Sequence, residues 1–271
     1  MVQLRVVQES ADELEFDLEG TWDEVRQAQV AAEPAIGSGT FLKWAKCYDC
    51  GQNFHGSVQL ALAWAGWRAY VGRPETDGIR CMVMGALGNG LQANDEAEAA
   101  LPVLVANLAL HERYWLDDEN AVLIAKANLA GCLAAVGRHV EALRLQRDVY
   151  ARSLTFYGDA SDDTLIDAAN LASSLIEARA FDEVIPFLRE RILVANRAFG
   201  PDHVRALDLA GLLSDALRKN PDATRADLRE SESIVLDALQ RRRRVLGPAH
   251  PRTKASERAL SFVRKQLERE A

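Results

Sequence analysis

The chain has 271 residues, 48% of them hydrophobic and 27% charged, with 40 acids against 32 bases for a formal net charge of −8. That composition is ordinary for a soluble globular protein, and no apolar run reaches the roughly 18 residues of a membrane span. The four cysteines, Cys47, Cys50, Cys81 and Cys132, make no disulfide framework. Residues 1–8 lack the basic start and apolar core of a secretory signal, so a reducing, cytoplasmic location is expected.

Taken in chain order, residues 1–40 form an acidic segment with nine acids and two bases. Val2-Gln3-Leu4-Arg5-Val6 and Leu14-Glu15-Phe16-Asp17-Leu18 alternate apolar and polar, a weak β-hairpin signal. Two strands alone are barely stable, so the segment is expected to dock or to stay irregular. Residues 41–56 contain Cys47-Tyr48-Asp49-Cys50, with Trp44 before it and His55 after it. A Cys-x2-Cys knuckle supplies two thiolates to a tetrahedral zinc and His55 is a third candidate, but a structural site needs four ligands. Zinc is therefore expected only if the missing ligands come from elsewhere. This short stretch resembles the last part of a RING-CH-type zinc finger, and its arrangement is similar to algal proteins that join such a finger to helical repeats. Three readings stay open: a piece of a longer finger-plus-repeat protein, a relic without metal, or a knuckle completed by a partner.

Residues 57–74 read as one apolar capping helix carrying Trp64, Trp67 and Tyr70, stopped by Pro74. From residue 75 to 271 a period takes over. Leu87, Leu129, Leu171 and Leu213 are each 42 residues apart, and Leu91, Leu133, Leu175 and Leu217 keep the same step. Gly88, Ala130, Ala172 and Ser214 lie between the two series. Four units are expected, starting near Asp77, Asn120, Asp162 and Val204, each a helical hairpin, with a last helix from Pro251. Glycines at 158, 200 and 247 punctuate the units, and at Gly200-Pro201 the glycine is expected to take a left-handed helical cap while the proline forbids continuation. The fourth unit carries five extra residues at Lys219 to Thr224, so its second helix is expected from Ala226 or Asp227. A period in this range marks stacked hairpins, none of which covers its own apolar face alone.

Asn128-Leu129-Ala130, Leu133, Gly137 and Glu141-Ala142-Leu143 form one repeat motif, and Asn170-Leu171-Ala172 repeats its start. The turns Gly200-Pro201-Asp202-His203 and Gly247-Pro248-Ala249-His250-Pro251-Arg252-Thr253 follow a Gly-x-x-His-Pro-x-Thr pattern. On these residues the array resembles tetratricopeptide repeats of the kinesin light chain type. The resemblance implies an all-α, right-handed superhelical solenoid of about four 42-residue hairpins plus a terminal helix. Its first helices would line a concave face for a protein or peptide partner.

Asn89, Gln92, Asn128, Asn170, Ser173, Asp215 and Arg218 are the expected partner-binding residues, since an asparagine bonds a peptide backbone as donor and acceptor. Gly131, Ala134 and Ile176 fill aligned positions. The alternative is that the asparagines bridge neighbouring helices. No phosphate loop, His-Glu-x-x-His or Gly-x-Ser-x-Gly motif occurs, so an enzyme is not expected. His203 and His250 belong to equivalent turns, and His111 is expected to face solvent. Arg241-Arg242-Arg243-Arg244 reads as a solvated face, the alternative being a dock for an acidic partner. Neither membrane nor nucleic acid is an expected partner. The second functional reading is a RING-CH-type ubiquitin-ligase-like adaptor whose repeats select substrate.

Overall fold

The computed structural model describes residues 56–269, and no strand occurs among them. The expected β-hairpin and the Cys47, Cys50 and His55 knuckle lie outside the described residues. The chain divides into two compact units, Met1–Val136 and Gly137–Ala271.

The first unit holds α1 (Gly56–Tyr70), α2 (Gly78–Gln92), α3 (Ala97–Tyr114) and α4 (Glu119–Ala135). The apolar helix α1 forms where its composition predicts and buries Leu60, Trp64 and Tyr70. It meets α2 through glycines: a Cβ on Gly66 would sit 3.3 Å from Val83, and one on Gly90 would sit 3.4 Å from the Leu60 backbone. The Asp77 carboxylate starts α2 by accepting from the Ile79 and Arg80 amides at 2.8 and 3.1 Å, which satisfies amides that a helix start leaves unpaired. The α2–α3 hairpin closes over Gly88, where a Cβ would come within 2.5 Å of the Leu104 side chain. Asn107 lies buried in the same hairpin and donates to the Cys81 carbonyl at 2.8 Å. Burial pushes the Cys81 thiol up to about 11, so this cysteine behaves as a small apolar residue.

The second unit holds α5 (His139–Phe156), α6 (Asp162–Glu177), α7 (Phe181–Phe199), α8 (Val204–Lys219), α9 (Arg225–Leu246) and α10 (Pro251–Arg269). Helices α6 and α7 form one hairpin, α8 and α9 the next, and α10 packs on α9. One continuous core joins Leu171, Leu175, Val184, Leu188, Leu213 and Leu217. All eight leucines of the two periodic series are buried, in whichever unit they fall. At the Ser214 position the small residue gains a polar contact, its hydroxyl meeting that of Ser231 at 2.8 Å in the buried α8–α9 seam.

The turn motif has a direct physical basis. Gly158, Gly200 and Gly247 have φ of 88°, 87° and 83°. At Gly200 and Gly247 ψ is 159° and 164°. This is not the left-handed helical cap expected from the Gly-Pro order but an extended conformation open essentially to glycine alone. Three residues later a side chain caps the next helix. His203 Nδ1 accepts from the Arg205 amide at 3.4 Å, His250 Nδ1 from the Arg252 amide at 3.1 Å, and Ser161 Oγ from the Thr164 amide at 3.0 Å. The threonine ends the motif by donating back to the glycine carbonyl, Thr164 to Gly158 at 2.7 Å and Thr253 to Gly247 at 2.9 Å. Gly200→Ala and Gly247→Ala are each expected to cost about 2 kcal/mol, since the added Cβ meets no neighbour but forces a disfavoured backbone. Urea unfolding of the two variants measures this, and a loss under about 0.5 kcal/mol contradicts it.

Three expectations need correction. Helix α9 begins at Arg225, because Thr224 and Asp227 make a reciprocal capping box ahead of it. His111 is half-buried with its ring tilted against Trp115 at 5.6 Å between centroids, and burial lowers its pKa. The four-arginine run is solvated only in part, at the exposed Arg243 and Arg244. Arg242 is buried, and Arg241, Arg243 and Arg244 each hold a carboxylate of this chain: Asp202 and Asp237, Glu257, and Asp202. With their charge engaged internally, these arginines are a poor dock for an acidic partner.

Candidate partner-binding surface

In the first unit α2 and α4 lie close enough for side chains at matching repeat positions to meet. Gln92 Nε2 on α2 is 3.4 Å from where a Cβ on Gly131 of α4 would sit. Gln92 and Asn89 on α2 and Asn128 on α4 are all half-buried. Gly131 leaves the space that Gln92 occupies, so the small residue makes a resting place for a neighbouring side chain rather than an empty groove. Ala134 is half-buried as well.

In the second unit the predicted residues divide by environment. Asn170 on α6 is half-buried one turn from Asp167 of the same helix, whose pKa it lowers, so this contact bridges no neighbouring helix. Ser173 is exposed and donates to the Ala169 carbonyl one turn back at 3.0 Å. Ile176, at an aligned groove position, is instead buried in the core. On α8, Asp215 and Arg218 pair at 3.0 Å, and the Arg218 carbonyl accepts from Gln266 of α10 at 3.3 Å. The aligned positions therefore do not present one continuous polar strip.

Asp167 has an electrostatic consequence. Burial raises its pKa above the ordinary carboxylate value, against the bond donated by Ser153 at 2.5 Å. A group whose folded pKa is raised contributes stability below its unfolded pKa and loses it as pH rises through the folded value. Asp167→Asn is therefore expected to leave Tm equal or higher at neutral pH. Its advantage over the parent should shrink on acidification towards pH 4, as thermal melts at the two pH values would show. Asp162 acts in the opposite sense: the Arg205 bonds at 2.8 and 2.9 Å hold its pKa down, so its contribution is lost as pH falls through the folded value.

One predicted residue does open onto a recess. Asp215 lines a cavity of about 340 Å³ between α8, α9 and α10. Its walls are small or apolar, with Gly211, Leu212, Val235, Ala238 and Ala259 among them, and its polar groups are Asp208, Asp215, Arg242 and Ser256. The cavity exists because facing helices carry glycine and alanine where leucines would interlock. Arg242 closes one wall. It donates to Ser256 Oγ at 2.6 Å, to the Leu207 carbonyl at 2.9 Å and to Asp208 at 2.9 Å. Asp208 also receives Arg252 at 3.1 Å. Sequence reasoning weighed Arg242 only as one of the arginine run and passed over Asp208, because a charge run and an isolated aspartate carry no periodic signal. The alanines of α9 and α10 were equally silent.

The recess offers apolar walls with a rim of carboxylates and no nucleophile–base pair. Among the described residues no cluster of three or more histidine, cysteine or acidic side chains is arranged to hold a metal ion. Among them, too, no helix is long and apolar enough to cross a membrane.

These features define an all-helical array of tetratricopeptide-like hairpins, and residues 223–252 match the tetratricopeptide repeat family. The fold is similar to a Podosopora anserina protein described as a kinesin light chain with nearly identical TPR-like repeats, at 17% identity and TM-score 0.56 over 68% of this chain and 86% of that one. A single-residue variant of that protein aligns at 16% identity and TM-score 0.58, covering 69% and 86%. BtubC (BKLC) from P. vanneervenii aligns at 18% identity and TM-score 0.61, covering 76% of this chain and 82% of that one. No curated protein sequence matches the chain.

Proposed function

We propose that this chain is a non-catalytic scaffold whose helical array binds a protein or peptide partner. The supporting observation is the recess beside Asp215, a concave site with apolar walls and a few convergent polar groups, which is the general form of a recognition pocket. An apolar side chain of the partner seats among Leu212, Val235 and Ala238. The Asp215 carboxylate accepts a hydrogen bond from the partner's backbone. Of the other candidates, Ser173 is exposed in the same unit, and Asn128 and Gln92 are candidates of the first unit taken by itself.

The test is selection of peptides from a random library on the full chain, followed by affinity measurement on variants. Ala255 is exposed and lines the recess, so Ala255→Trp fills the space without disturbing the core. Selected peptides are expected to lose at least about tenfold in affinity, about 1.4 kcal/mol, on Ala255→Trp and on Asp215→Lys. Retention of full affinity by both variants removes the recess from the proposal. Loss only on Asn128→Trp moves the site to the first unit.

A further inference from the structure

The outward side of α10 carries Lys254, Arg258, Lys265 and Arg269, all exposed. Their spacings are 4, 7 and 4 residues, which at about 100° per residue places them within an arc of about 60°. Phe262, 61% exposed, lies at the edge of that arc. The buried line of the helix, Thr253, Ser256, Leu260 and Val263, is on the opposite side.

The charge state of this stripe differs from that of its surroundings. Six other arginines of α9 and α10 hold carboxylates of the chain: Arg241, Arg242, Arg243, Arg244, Arg252 and Arg264. The four cations of the stripe form no ion pair among the described residues. The chain as a whole has eight more acids than bases, so this is not a shortage of carboxylates. Among the described residues of α10, Glu268 is the acid exposed at the margin, since Glu257 is taken by Arg243. Four like charges along about 22 Å of helix repel one another and are relieved by an anionic neighbour.

We infer that this face of α10 docks an acidic peptide segment carrying an apolar side chain among its carboxylates. The carboxylates pair with the two lysines and two arginines, and the apolar side chain covers Phe262. Aromatic side chains are favoured anchors at interfaces, and complementary charge sets orientation and on-rate. The chemistry fits a peptide better than a lipid surface: an interfacial helix needs a broad apolar face, and the apolar face of α10 is already spent on the core. It also fits a peptide better than nucleic acid, because a single aromatic flanks the cations and the chain is acidic overall. This surface adjoins the recess on α10 but does not include Asp215, and its test does not depend on the Asp215 reading.

The experiment uses the full chain and a labelled synthetic octapeptide of six glutamates, one leucine and one phenylalanine. Fluorescence anisotropy at about 50 mM NaCl is expected to show saturable binding that weakens at least about tenfold at about 300 mM. The combined variant Lys254→Glu, Arg258→Glu, Lys265→Glu and Arg269→Glu is expected to abolish binding. Phe262→Ala is expected to weaken it severalfold while keeping its salt dependence. Circular dichroism melts monitor folding, and Lys254→Gln with Lys265→Gln replaces the reversal if that variant unfolds, with a partial loss expected. Absence of saturable binding, or equal binding by the charge variants, overturns the proposal. So does stronger binding of phosphatidylserine vesicles or of a short RNA than of the peptide under the same conditions. The Asp215→Lys variant, altered on α8 rather than α10, is expected to bind this octapeptide normally, which separates failure here from failure of the recess.

Discussion

Gly88→Val is expected to lower stability by about 3 kcal/mol, a fall in Tm of roughly 6–12 °C for a chain of this size. The reason is local. A Cβ at this position would lie 2.5 Å from both Cγ and Cδ2 of Leu104, and Leu104 is fully buried. Helix propensity alone favours replacing a mid-helix glycine by about 1 kcal/mol in the case of alanine, so a loss identifies the packing contact as dominant. The double variant Gly88→Val with Leu104→Ala separates the two effects. Truncating Leu104 alone costs about 2–5 kcal/mol through its cavity, and the valine then occupies that space, so the double variant is expected to be more stable than the sum of the singles by at least about 1 kcal/mol. Strict additivity in urea unfolding would refute the contact.

Arg242→Met is expected to cost about 2 kcal/mol, while Arg243→Met and Arg244→Met each stay within about 0.5 kcal/mol. The four arginines are adjacent in sequence and differ only in where the helix points them. Arg242 loses donors to a buried serine, a backbone carbonyl and Asp208, leaving polar groups without partners in a dry seam. The cost falls below that of a fully buried pair because Asp208 keeps Arg252 and is 30% exposed. Arg243 and Arg244 are 53% and 67% exposed, where water replaces a lost carboxylate at little cost. If Arg242→Met and Arg243→Met unfold at the same denaturant concentration, the assignment of a buried role to Arg242 fails.

Much of the architecture is legible without coordinates. The leucine series identifies the buried face because a helix returns to the same side every 3.6 residues, and the 42-residue step repeats that side in every hairpin. The glycine, histidine and threonine spacing locates the turns because each residue type supplies what one backbone position lacks: a conformation, a cap or a donor. The capping box at Thr224 and Asp227 was readable in the same way, although the irregular length of the fourth unit masks it.

The candidate surface is less legible, and particular residues show why. Asn170 and Asn128 occupy the same repeat position, yet Asn170 lies one turn from Asp167, a buried carboxylate that accepts from Ser153. Ile176 and Arg218 are aligned as well, but one is in the core and the other is ion-paired at the end of α8. Sequence by itself determined the hairpins, their period, their turns and the small residues between leucines, because these depend on local geometry and on burial that recurs at a fixed step. Only the tertiary structure decided which charges are buried, which alanines leave a recess and which cations stand without a partner. Those depend on distances between side chains some 30–45 residues apart, such as Arg242 and Asp208, and such distances are set by helix packing, to which a linear pattern is blind.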